Sequence, residues 1–381
     1  MDMLIKNCRL VSPDRDEFPA YIAIREGTIR EVSAQDNPLP FANSVYDAEE
    51  CMALPGFIDL HVHGCAGFDV MEGTLESIKG MARAKLSEGV TAFCPTTLTL
   101  PEAELQRALH AVEAYKQHPA YAAVPGVHIE GPFIDPDCAG AQNPAYIRLP
   151  DLEEVLRLHS ISSVAIVSFA VELEGGIQLA RDLIARGMVP ACGHSAARYA
   201  DFERARDAGL GHLTHFCNQM TPLHHRDIGL VGAGLLDDAV SVELICDKVH
   251  LCAEMIALVF KVKPIAKICL VTDAISAAGL ADGEYTLGGL AIAVSHGIAR
   301  LADAPESLAG STLSMNQALK NVRDISNLPM KELVKTVSLN PAKVIGLEKH
   351  GKLEVGYAGD VVIMDDDFNI HAVFIKGVQK L

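Results

Sequence analysis

ALPGFIDLHVH, at residues 53–63, is an apolar, strand-like segment that ends in His61 and His63. Side chains alternate between the two faces of a strand, so these histidines lie on the same face. An apolar run of this kind predicts a buried strand. Two imidazoles at its end indicate that the strand presents metal-binding or catalytic groups there.

Seven further strand-like segments follow along the chain: TAFCPTTLT, VPGVHIEG, SSVAIVSFA, MVPACGHS, GHLTHFCN, SVELICD and KICLVTD. Amphipathic, helix-like stretches separate several of them, for example LESIKGMARAKLSEG and ARYADFERARDAG. Alternating strands and helices are typical of a parallel sheet covered by helices. Eight such units within roughly 300 residues favour a (β/α)8 TIM barrel over an open, doubly wound sheet.

The two ends of the chain have a different character. The first part contains the short β segments LIKNCRL, AYIAIREGTI and SVYDAE, and the last part resumes them with two β-branched runs around an acidic turn. Chain termini often lie close together in a domain. We therefore expect one small sheet domain that is built from both ends of the chain.

The composition is that of a globular protein, with 49% hydrophobic and 21% charged residues. No apolar run reaches the roughly 18 residues that span a bilayer, and the start MDMLIKN has no secretory character. The net charge of −17 argues against nucleic acid and anionic membranes as partners, but not against a small anionic substrate. Ten scattered cysteines without a CxxC pair favour reduced thiols and a cytoplasmic location.

Ionisable side chains end five of the eight strand-like segments: His61 with His63, Glu130, His194, His215 and Asp273. In a barrel, the C-terminal ends of all strands meet on one face. Imidazole and carboxylate ligands suit Zn²⁺ or Fe²⁺, which lowers the pKa of water towards neutrality. An aspartate on the last strand can take a proton from that water and deliver it to a leaving amine.

Each of these residues also has a structural interpretation. Glu130 can simply pair with a cation, His215 can be a hydrogen-bonded core histidine, and Asp273 can cap the following helix. The occurrence of such residues at five strand ends favours a single site over separate structural roles. His128, two residues before Glu130, is expected to support the ligands from behind.

Longer motifs surround these residues: PGFIDLHVHG at 55–64, HIEGPF at 128–133, GHS at 193–195, THFCNQM at 214–220, HHRDIGLVGAGLLD at 224–237, LVTDA at 270–274 and LAGSTLSM at 308–315. With NPAKVIGL and GYAGDVVI near the end, the chain resembles the N-acetylglucosamine-6-phosphate deacetylase family of the amidohydrolase superfamily over nearly its whole length. Its HHRDIG loop and HVHGCAGFDVM segment resemble the N-acetylgalactosamine-6-phosphate branch equally well.

This resemblance implies a (β/α)8 barrel over residues 54–347 and a small β-sandwich domain made of residues 1–53 and 348–381. It also implies that Glu130, His194 and His215 bind the principal metal and that His61 and His63 bind a second one. One or two Zn²⁺ or Fe²⁺ ions per subunit are therefore expected. Asp273 takes the role of general acid and base.

The resemblance further assigns substrate contacts to six residues, which are Gln142, Asn218, Gln219, Arg226, His250 and Leu308. It implies a homodimer in which Arg226 reaches the neighbouring subunit to bind the phosphate. Two positions depart from the family pattern: Gln142 stands where many members have histidine, and Lys248 stands where glycine is usual.

The expected reaction is hydrolysis of the N-acetyl group of N-acetylglucosamine 6-phosphate, in amino-sugar catabolism. The galactosamine epimer is the nearest alternative, followed by another amidohydrolase substrate such as an N-acyl amino acid or a cyclic amide. A non-catalytic scaffold or sugar-phosphate sensor is a further alternative. The presence of all five ligands and of Asp273 argues against it.

Overall fold

A computed structural model describes residues 2–34 and 37–381, so Met1, Gln35 and Asp36 of the predicted small domain lie outside the described residues. The strands are β1 (Met3–Ser12), β2 (Arg15–Arg25), β3 (Thr28–Ala34), β4 (Ser44–Asp47), β5 (Met52–Pro55), β6 (Phe57–Val62), β7 (Gly64–Cys65), β8 (Phe68–Asp69), β9 (Val90–Pro95), β10 (Val127–Glu130), β11 (Val164–Phe169), β12 (Val189–Cys192), β13 (His212–Leu213), β14 (Ser241–Leu244), β15 (Ile268–Leu270), β16 (Gly283–Leu287), β17 (Leu290–Ser295), β18 (Ile298–Leu301), β19 (Val361–Met364), β20 (Ile370–Ile375) and β21 (Val378–Gln379). The α-helices are α1 (Leu75–Ala84), α2 (Glu102–Gln117), α3 (Leu152–Ile161), α4 (Gly176–Ile184), α5 (Tyr199–Asp207), α6 (Gly229–Leu236), α7 (Ala253–Val262), α8 (Met315–Ser326), α9 (Met330–Val337) and α10 (Leu339–Val344).

Parallel strands in chain order form the centre of the molecule. Strands β10 to β15 make one six-stranded parallel sheet, and β6 pairs in parallel with β9. A parallel bridge between Thr96 and His128 links the end of β9 to β10. A second bridge links Val62 on β6 to Ala274, beyond β15. Because helices separate the successive strands from β9 to β15, the mixed α/β class expected from the sequence is confirmed.

Local sequence signals account for these elements. Helix α1 follows Thr74, whose hydroxyl oxygen accepts the N–H of Ser77 at 3.1 Å, and α3 follows Asp151, whose carboxylate accepts the N–H of Glu153 at 2.9 Å. Such side chains satisfy the unpaired N–H groups of a first helical turn. Every residue of β6 and β9 is buried, as expected for parallel strands that are covered on both faces.

The two ends of the chain share one sheet with the strand order β21-β20-β19-β5-β1-β2-β3, in which β4 also pairs with β1. Strand β5 runs antiparallel to β19 as far as Pro55, so the pairing continues past residue 53. Buried side chains from both ends, among them Ile22 and Phe374, form an apolar cluster of their own. The sandwich form and the boundaries given above stay predictions.

A three-stranded antiparallel sheet, β16-β17-β18, follows the last central strand and was not expected from the sequence. Its strands are short and largely exposed, so they lack the apolar runs that mark the central strands. Arg300 on β18 bridges to Leu308, and Ser311 bridges to Ala274 beyond β15, which places the segment after this sheet beside the central strands. No helix in residues 2–34 and 37–381 combines the length and the apolar content that crossing a bilayer requires.

A buried ionic cluster ties the first central strand to the chain beyond the last one. Lys85, which follows α1, is fully buried, and its Nζ lies 3.0 Å from Oδ2 of Asp59 and 2.9 Å from Oε2 of Glu88. Asp59 on β6 also accepts the hydroxyl of Thr272 at 2.6 Å, and Lys85 donates to the same hydroxyl oxygen at 3.2 Å. Since Thr272 directly precedes Asp273, this cluster supports the cavity described below.

We expect Lys85→Met to lower the free energy of unfolding by about 3–5 kcal/mol, because Asp59 and Glu88 would keep two buried charges without their cation. Lys79→Met on α1, the helix that precedes Lys85, is the matched control, since Lys79 pairs only loosely with Glu76 at 3.8 Å on the surface. That control should change stability by no more than about 1 kcal/mol. Urea unfolding, followed by circular dichroism, measures the free energy of unfolding of both variants. Equal unfolding midpoints for Lys85→Met and Lys79→Met would contradict the prediction.

Candidate metal centre and substrate cavity

Glu130, the last residue of β10, lies at the centre of a cluster of histidines. Its Oε1 is 3.0 Å from Nε2 of His215, 3.4 Å from Nε2 of His194 and 3.3 Å from Nε2 of His61. Its Oε2 is 3.3 Å from Nε2 of His63. One buried carboxylate therefore contacts all four imidazoles, which come from strands far apart in the sequence.

Asp273 is a second carboxylate that contacts His61 and His63. Its Oδ1 is 3.3 Å from Nε2 of His61 and 3.2 Å from Nε2 of His63, and these two nitrogens are 3.2 Å apart. Two of the potential metal-binding groups among the described residues are thus Glu130 with His194 and His215, and Asp273 with His61 and His63. The first group contains the three residues expected at the principal ion, and the second adds Asp273, expected as the acid and base, to His61 and His63.

The backbone bends sharply where the strands deliver these side chains. His194, His215 and Asp273 have φ angles of 48°, 29° and 50°, in the left-handed region that residues with a Cβ seldom adopt. A backbone hydrogen bond helps to hold this geometry at Asp273, whose N–H donates to the carbonyl of His61 at 2.9 Å. Strain of this type concentrates at functional sites.

The hydrogen bonds behind the histidines determine which ring nitrogen carries the proton. Nδ1 of His61 lies 3.1 Å from Oε2 of Glu243, Nδ1 of His63 lies 3.1 Å from the carbonyl of Thr96, and Nδ1 of His194 lies 2.8 Å from the carbonyl of Cys138. All three partners are acceptors, so each Nδ1 is a donor. In the neutral form that binds a metal, these rings direct their Nε2 lone pairs at one another and at Glu130.

This arrangement fits a divalent metal ion. Nε2 of His215 is only 3.0 Å from Nε2 of His194, and Nδ1 of His215 is buried without a hydrogen-bond partner among the described residues; a cation between the ligands would be coordinated by both Nε2 atoms. Hydrogen bonding of the second ring nitrogen is the usual way in which proteins orient a metal-binding histidine. Imidazole and carboxylate together suit Zn²⁺ or Fe²⁺.

The electrostatics of the cluster also favour a cation. Burial by itself lowers the pKa of His61 and His63, but the carboxylates of Glu130 and Asp273 outweigh it, raising the pKa of His61 well above its usual value and that of His63 to about 9. Burial likewise raises the pKa of Glu130, and the imidazoles around it lower that pKa well below the usual range. The carboxylates therefore stay ionised and attract positive charge.

A cavity of about 260 Å³ opens over these groups. Its walls include most of the residues that the sequence assigned to metal, catalysis or substrate: His63, Glu130, Gln142, His194, His215, Asn218, Gln219, His250, Asp273 and Leu308. His61 lies fully buried behind His63. Arg226 is not part of the wall; it is exposed, and its Nη1 contacts Nε2 of the adjacent His225 at 2.8 Å.

Two of the expected substrate residues are already oriented by neighbours. The amide nitrogen of Gln142 donates to Oε2 of Glu130 at 2.5 Å, and its amide oxygen accepts the N–H of Thr99 at 2.7 Å. Nδ1 of His250 donates to Oδ2 of Asp247 at 2.7 Å. Gln142 therefore contacts a proposed metal ligand directly, at the position where many family members have histidine.

Two buried residues support the cluster from behind: Glu243, which the sequence analysis did not identify, and His128, which it did. Glu243 on β14 is fully buried and contacts His61, as described above; the only signal for it was a carboxylate inside the apolar segment SVELICD. His128, expected behind the ligands, is fully buried and packs against His61 with ring centroids 4.6 Å apart. Burial lowers the pKa of His128 to about 3, which keeps the ring neutral.

Comparison with known proteins identifies the family. The profile of the amidohydrolase family matches residues 52–380. An N-acetylglucosamine-6-phosphate deacetylase from Lysinibacillus sphaericus is 34% identical over 382 residues, which cover 99% of this chain and 97% of the relative. The chain belongs to the N-acetylglucosamine-6-phosphate deacetylase family of amidohydrolases. The resemblance seen in the motifs is thereby confirmed.

Two other members of this deacetylase family bear on the site. An N-acetylgalactosamine-6-phosphate deacetylase from Escherichia coli is 35% identical, with 93% of each chain covered. The structure of a mutant N-acetyl-D-glucosamine-6-phosphate deacetylase from Mycobacterium smegmatis, in complex with N-acetyl-D-glucosamine-6-phosphate, superposes with a TM-score of 0.93 at 28% identity and covers 100% of this chain and 99% of that one. Amidohydrolases are metal-dependent, in agreement with the metal-binding groups described above.

We predict that Glu130→Gln loses the principal ion and weakens the second, because Glu130 contacts all four imidazoles. His63→Ala should lose the second ion alone. Metal content after dialysis, measured by mass spectrometry, should therefore be lowest for Glu130→Gln, with affinity at the principal position reduced by roughly 100-fold or more. Chelation should abolish wild-type activity and added Zn²⁺ or Fe²⁺ should restore it. A full metal complement in Glu130→Gln would contradict the assignment.

Proposed function

We propose that this protein hydrolyses the N-acetyl group of N-acetylglucosamine 6-phosphate, giving glucosamine 6-phosphate and acetate. The observation that carries the proposal is the cluster of Glu130, Asp273 and four histidines at the base of one cavity. The near full-length match to deacetylases of this name supports it. The cavity, at about 260 Å³, is close to the lower end of small-molecule pockets and suits one sugar unit.

We assign the principal metal position to Glu130, His194 and His215, and the second to His61 and His63. Zn²⁺ or Fe²⁺, one or two per subunit, is the expected occupant. A divalent ion at this place supplies Lewis acidity, which polarises the amide and makes water a better nucleophile at neutral pH.

Asp273 is the proposed general base and acid. Its carboxylate lines the cavity and lies 3.3 Å from Nε2 of His61, beside the proposed second metal position, where it can remove a proton from the attacking water. The same carboxyl then returns the proton to the departing amine nitrogen, so that the amine leaves as a neutral group. Asp273 contacts reacting atoms only if the acetyl group enters the base of the cavity.

Residues of the cavity wall are proposed to orient the sugar and its acetyl group. Gln142, held by Glu130 and Thr99, lies nearest to the metal ligands. His250, whose Nδ1 donates to Asp247, can donate through Nε2 to the acetyl carbonyl oxygen when its imidazole is protonated. Asn218, Gln219 and Leu308 complete the sugar-facing wall.

We also propose the finer architecture. The two bridges at Thr96 and Val62 support closure of the eight parallel strands into a (β/α)8 barrel over residues 54–347. The shared terminal sheet supports a separate small domain of residues 1–53 and 348–381, for which a β-sandwich is the proposed form. On the barrel, the proposed site occupies the C-terminal ends of the strands.

A second candidate substrate is N-acetylgalactosamine 6-phosphate. The E. coli relative named for that reaction is as similar to this chain, at 35% identity, as the glucosamine deacetylase at 34%. The two sugars differ in the orientation of one hydroxyl, so the same ions and the same Asp273 serve either. Residues of the wall, rather than those of the metal cluster, decide between them.

We predict acetate release from N-acetylglucosamine 6-phosphate by the wild type, with kcat/KM higher than for the galacto epimer. Asp273→Asn should retain its metal and bind substrate, while kcat falls by about 10²–10⁴-fold through loss of proton transfer. Enzymatic acetate detection and metal analysis measure both. Preference for the galacto epimer would support the second candidate, and no release from either would refute both. Loss of metal in Asp273→Asn would make Asp273 a ligand instead.

Arg226 is proposed to bind the phosphate of a substrate in the neighbouring subunit of a cytoplasmic homodimer. Within its own chain it lies outside the cavity wall and exposed. Guanidinium matches the geometry of a phosphate group and binds it through two parallel hydrogen bonds. A residue of this chemistry that misses its own cavity is consistent with action in trans.

Arg226→Ala should raise KM for the phosphorylated sugar at least about tenfold and leave the unphosphorylated sugar almost unaffected. Arg198→Ala is the control, because Arg198 is an exposed neighbour that pairs with Asp227 at 2.8 Å. Mixed dimers of Arg226→Ala and Asp273→Asn subunits provide the test of action in trans. One site in each mixed dimer then carries both defects and the other neither, so activity should return. Mixed dimers that form but stay inactive would contradict it.

A further inference from the structure

The carboxylate of Glu243 lies directly behind the proposed metal ligands and does not line the cavity. Its Oε2 accepts a hydrogen bond from Nδ1 of His61 at 3.1 Å, and its Oε1 accepts one from Nε2 of His212 at 2.9 Å. All three side chains are fully buried. A buried carboxylate between two imidazoles is expensive to desolvate, which suggests a role beyond packing.

The partner of His61 distinguishes it from the other oriented histidines. His63 and His194 donate from Nδ1 to the backbone carbonyls of Thr96 and Cys138, which are neutral acceptors. His61 donates to an anion. A hydrogen bond to an ionised acceptor is about twice as strong as a neutral one, and it makes the opposite nitrogen a better electron donor. Nε2 of His61 should thus donate its electron pair to a metal ion more strongly than the other ligand at the second metal position.

Glu243 also contacts the backbone of a principal ligand. Its Oε2 accepts the N–H of His215 at 3.1 Å, and its own carbonyl accepts the N–H of Phe216 at 2.8 Å. His215 has the strained φ of 29°. One side chain on β14 therefore fixes the ring of His61 and the turn that presents His215.

We propose that Glu243 is a positioning residue that sets the affinity of the second metal position through His61. This inference rests on the metal-binding part of the proposed function, because it presumes two ion positions at this site. Glu243 orients the imidazole, keeps the proton on Nδ1 and increases the electron density at Nε2. It reaches the substrate only through the ion that His61 binds.

A metal ion bound by Glu243 itself, together with His61 and His128, is the competing interpretation of the same atoms. Both ring nitrogens of His128 are occupied, by the carbonyl of Leu60 at 3.0 Å and by the hydroxyl of Ser168 at 2.6 Å. His61, His128 and Glu243 are all fully buried, away from the cavity wall. The hydrogen-bonded arrangement therefore favours positioning over direct coordination.

Glu243→Gln is the decisive variant, because it removes the charge and preserves the shape. The amide oxygen can still accept from His61 and from the N–H of His215, while the amide nitrogen faces His212. Glu243→Leu removes the hydrogen bonds as well. Glu154→Gln is the matched control, since Glu154 is another buried carboxylate that pairs with Arg148 away from the metal cluster.

The experiment is titration of metal-stripped full-length protein with Zn²⁺ against a chromophoric chelator. The ion that His63→Ala fails to bind identifies the second position. We expect Glu243→Gln to lower affinity there by about 10–100-fold and to change the principal affinity by less than about threefold. Glu243→Leu should weaken the second position further, and Glu154→Gln should match the wild type. Thermal unfolding of each stripped variant monitors the fold; if Glu243→Leu does not fold, Glu243→Gln alone decides.

Three results would overturn the inference: unchanged affinities in Glu243→Gln, equal losses at both positions together with a lower Tm, or a wild type that binds a single ion. Acetate release by the wild type tests the proposed function separately from the role of Glu243. A single-ion protein that releases acetate would refute the role of Glu243 and retain the deacetylase. Two ions with a selective loss in Glu243→Gln, but no acetate release, would support the positioning role and refute the deacetylase.

Discussion

The Nε2 atoms of His61, His63, His194 and His215 all lie within 3.4 Å of an oxygen of Glu130, and the rest of the structure depends on holding them there. Three of these rings commit their Nδ1 protons to acceptors behind them, so that their Nε2 lone pairs converge on a small volume when the rings are neutral. Such convergence is unfavourable until a cation enters. The protein must therefore supply the organisation of this cluster from elsewhere in the fold.

Two layers behind the cluster supply that organisation. The first consists of the acceptors themselves, of which Glu243 is the only carboxylate among those described. The second is the ionic cluster of Lys85, Asp59 and Glu88, which fixes Thr272 and with it the strained turn at Asp273. Each residue with a Cβ in the left-handed region destabilises the fold by about 1–3 kcal/mol. The stability of the surrounding apolar core has to compensate for this strain at the proposed ligands. A bound ion offsets part of that cost, because it binds the folded chain alone.

Much of the fold was predictable, because apolar runs and their spacing are local properties of the sequence. Such local patterns predicted the alternation of strands and helices and the similar β segments at the two ends. They also predicted the polar residues at strand ends, such as Glu130. Strands β16 to β18 were not, because short and half-exposed strands carry no continuous apolar run. Glu243 was missed for a related reason, since a single carboxylate in a buried strand gains meaning only from its partners across the sheet. The role proposed for Arg226 involves a second subunit, and its position within one chain, exposed and outside the cavity wall, could not be predicted from the local sequence.

Leu287 at the end of β16 and the segment from Glu306 to Leu308 form part of the cavity wall, whereas the proposed metal ligands come from the central strands and the turns that follow them. The chemistry and the shape of the site are thus encoded in different stretches of the chain. Insertions or substitutions within residues 283–308 can reshape the space around a sugar hydroxyl without moving a single proposed metal ligand. Members of a family built in this way can diverge in the sugar they accept while inheriting the same hydrolytic centre unchanged.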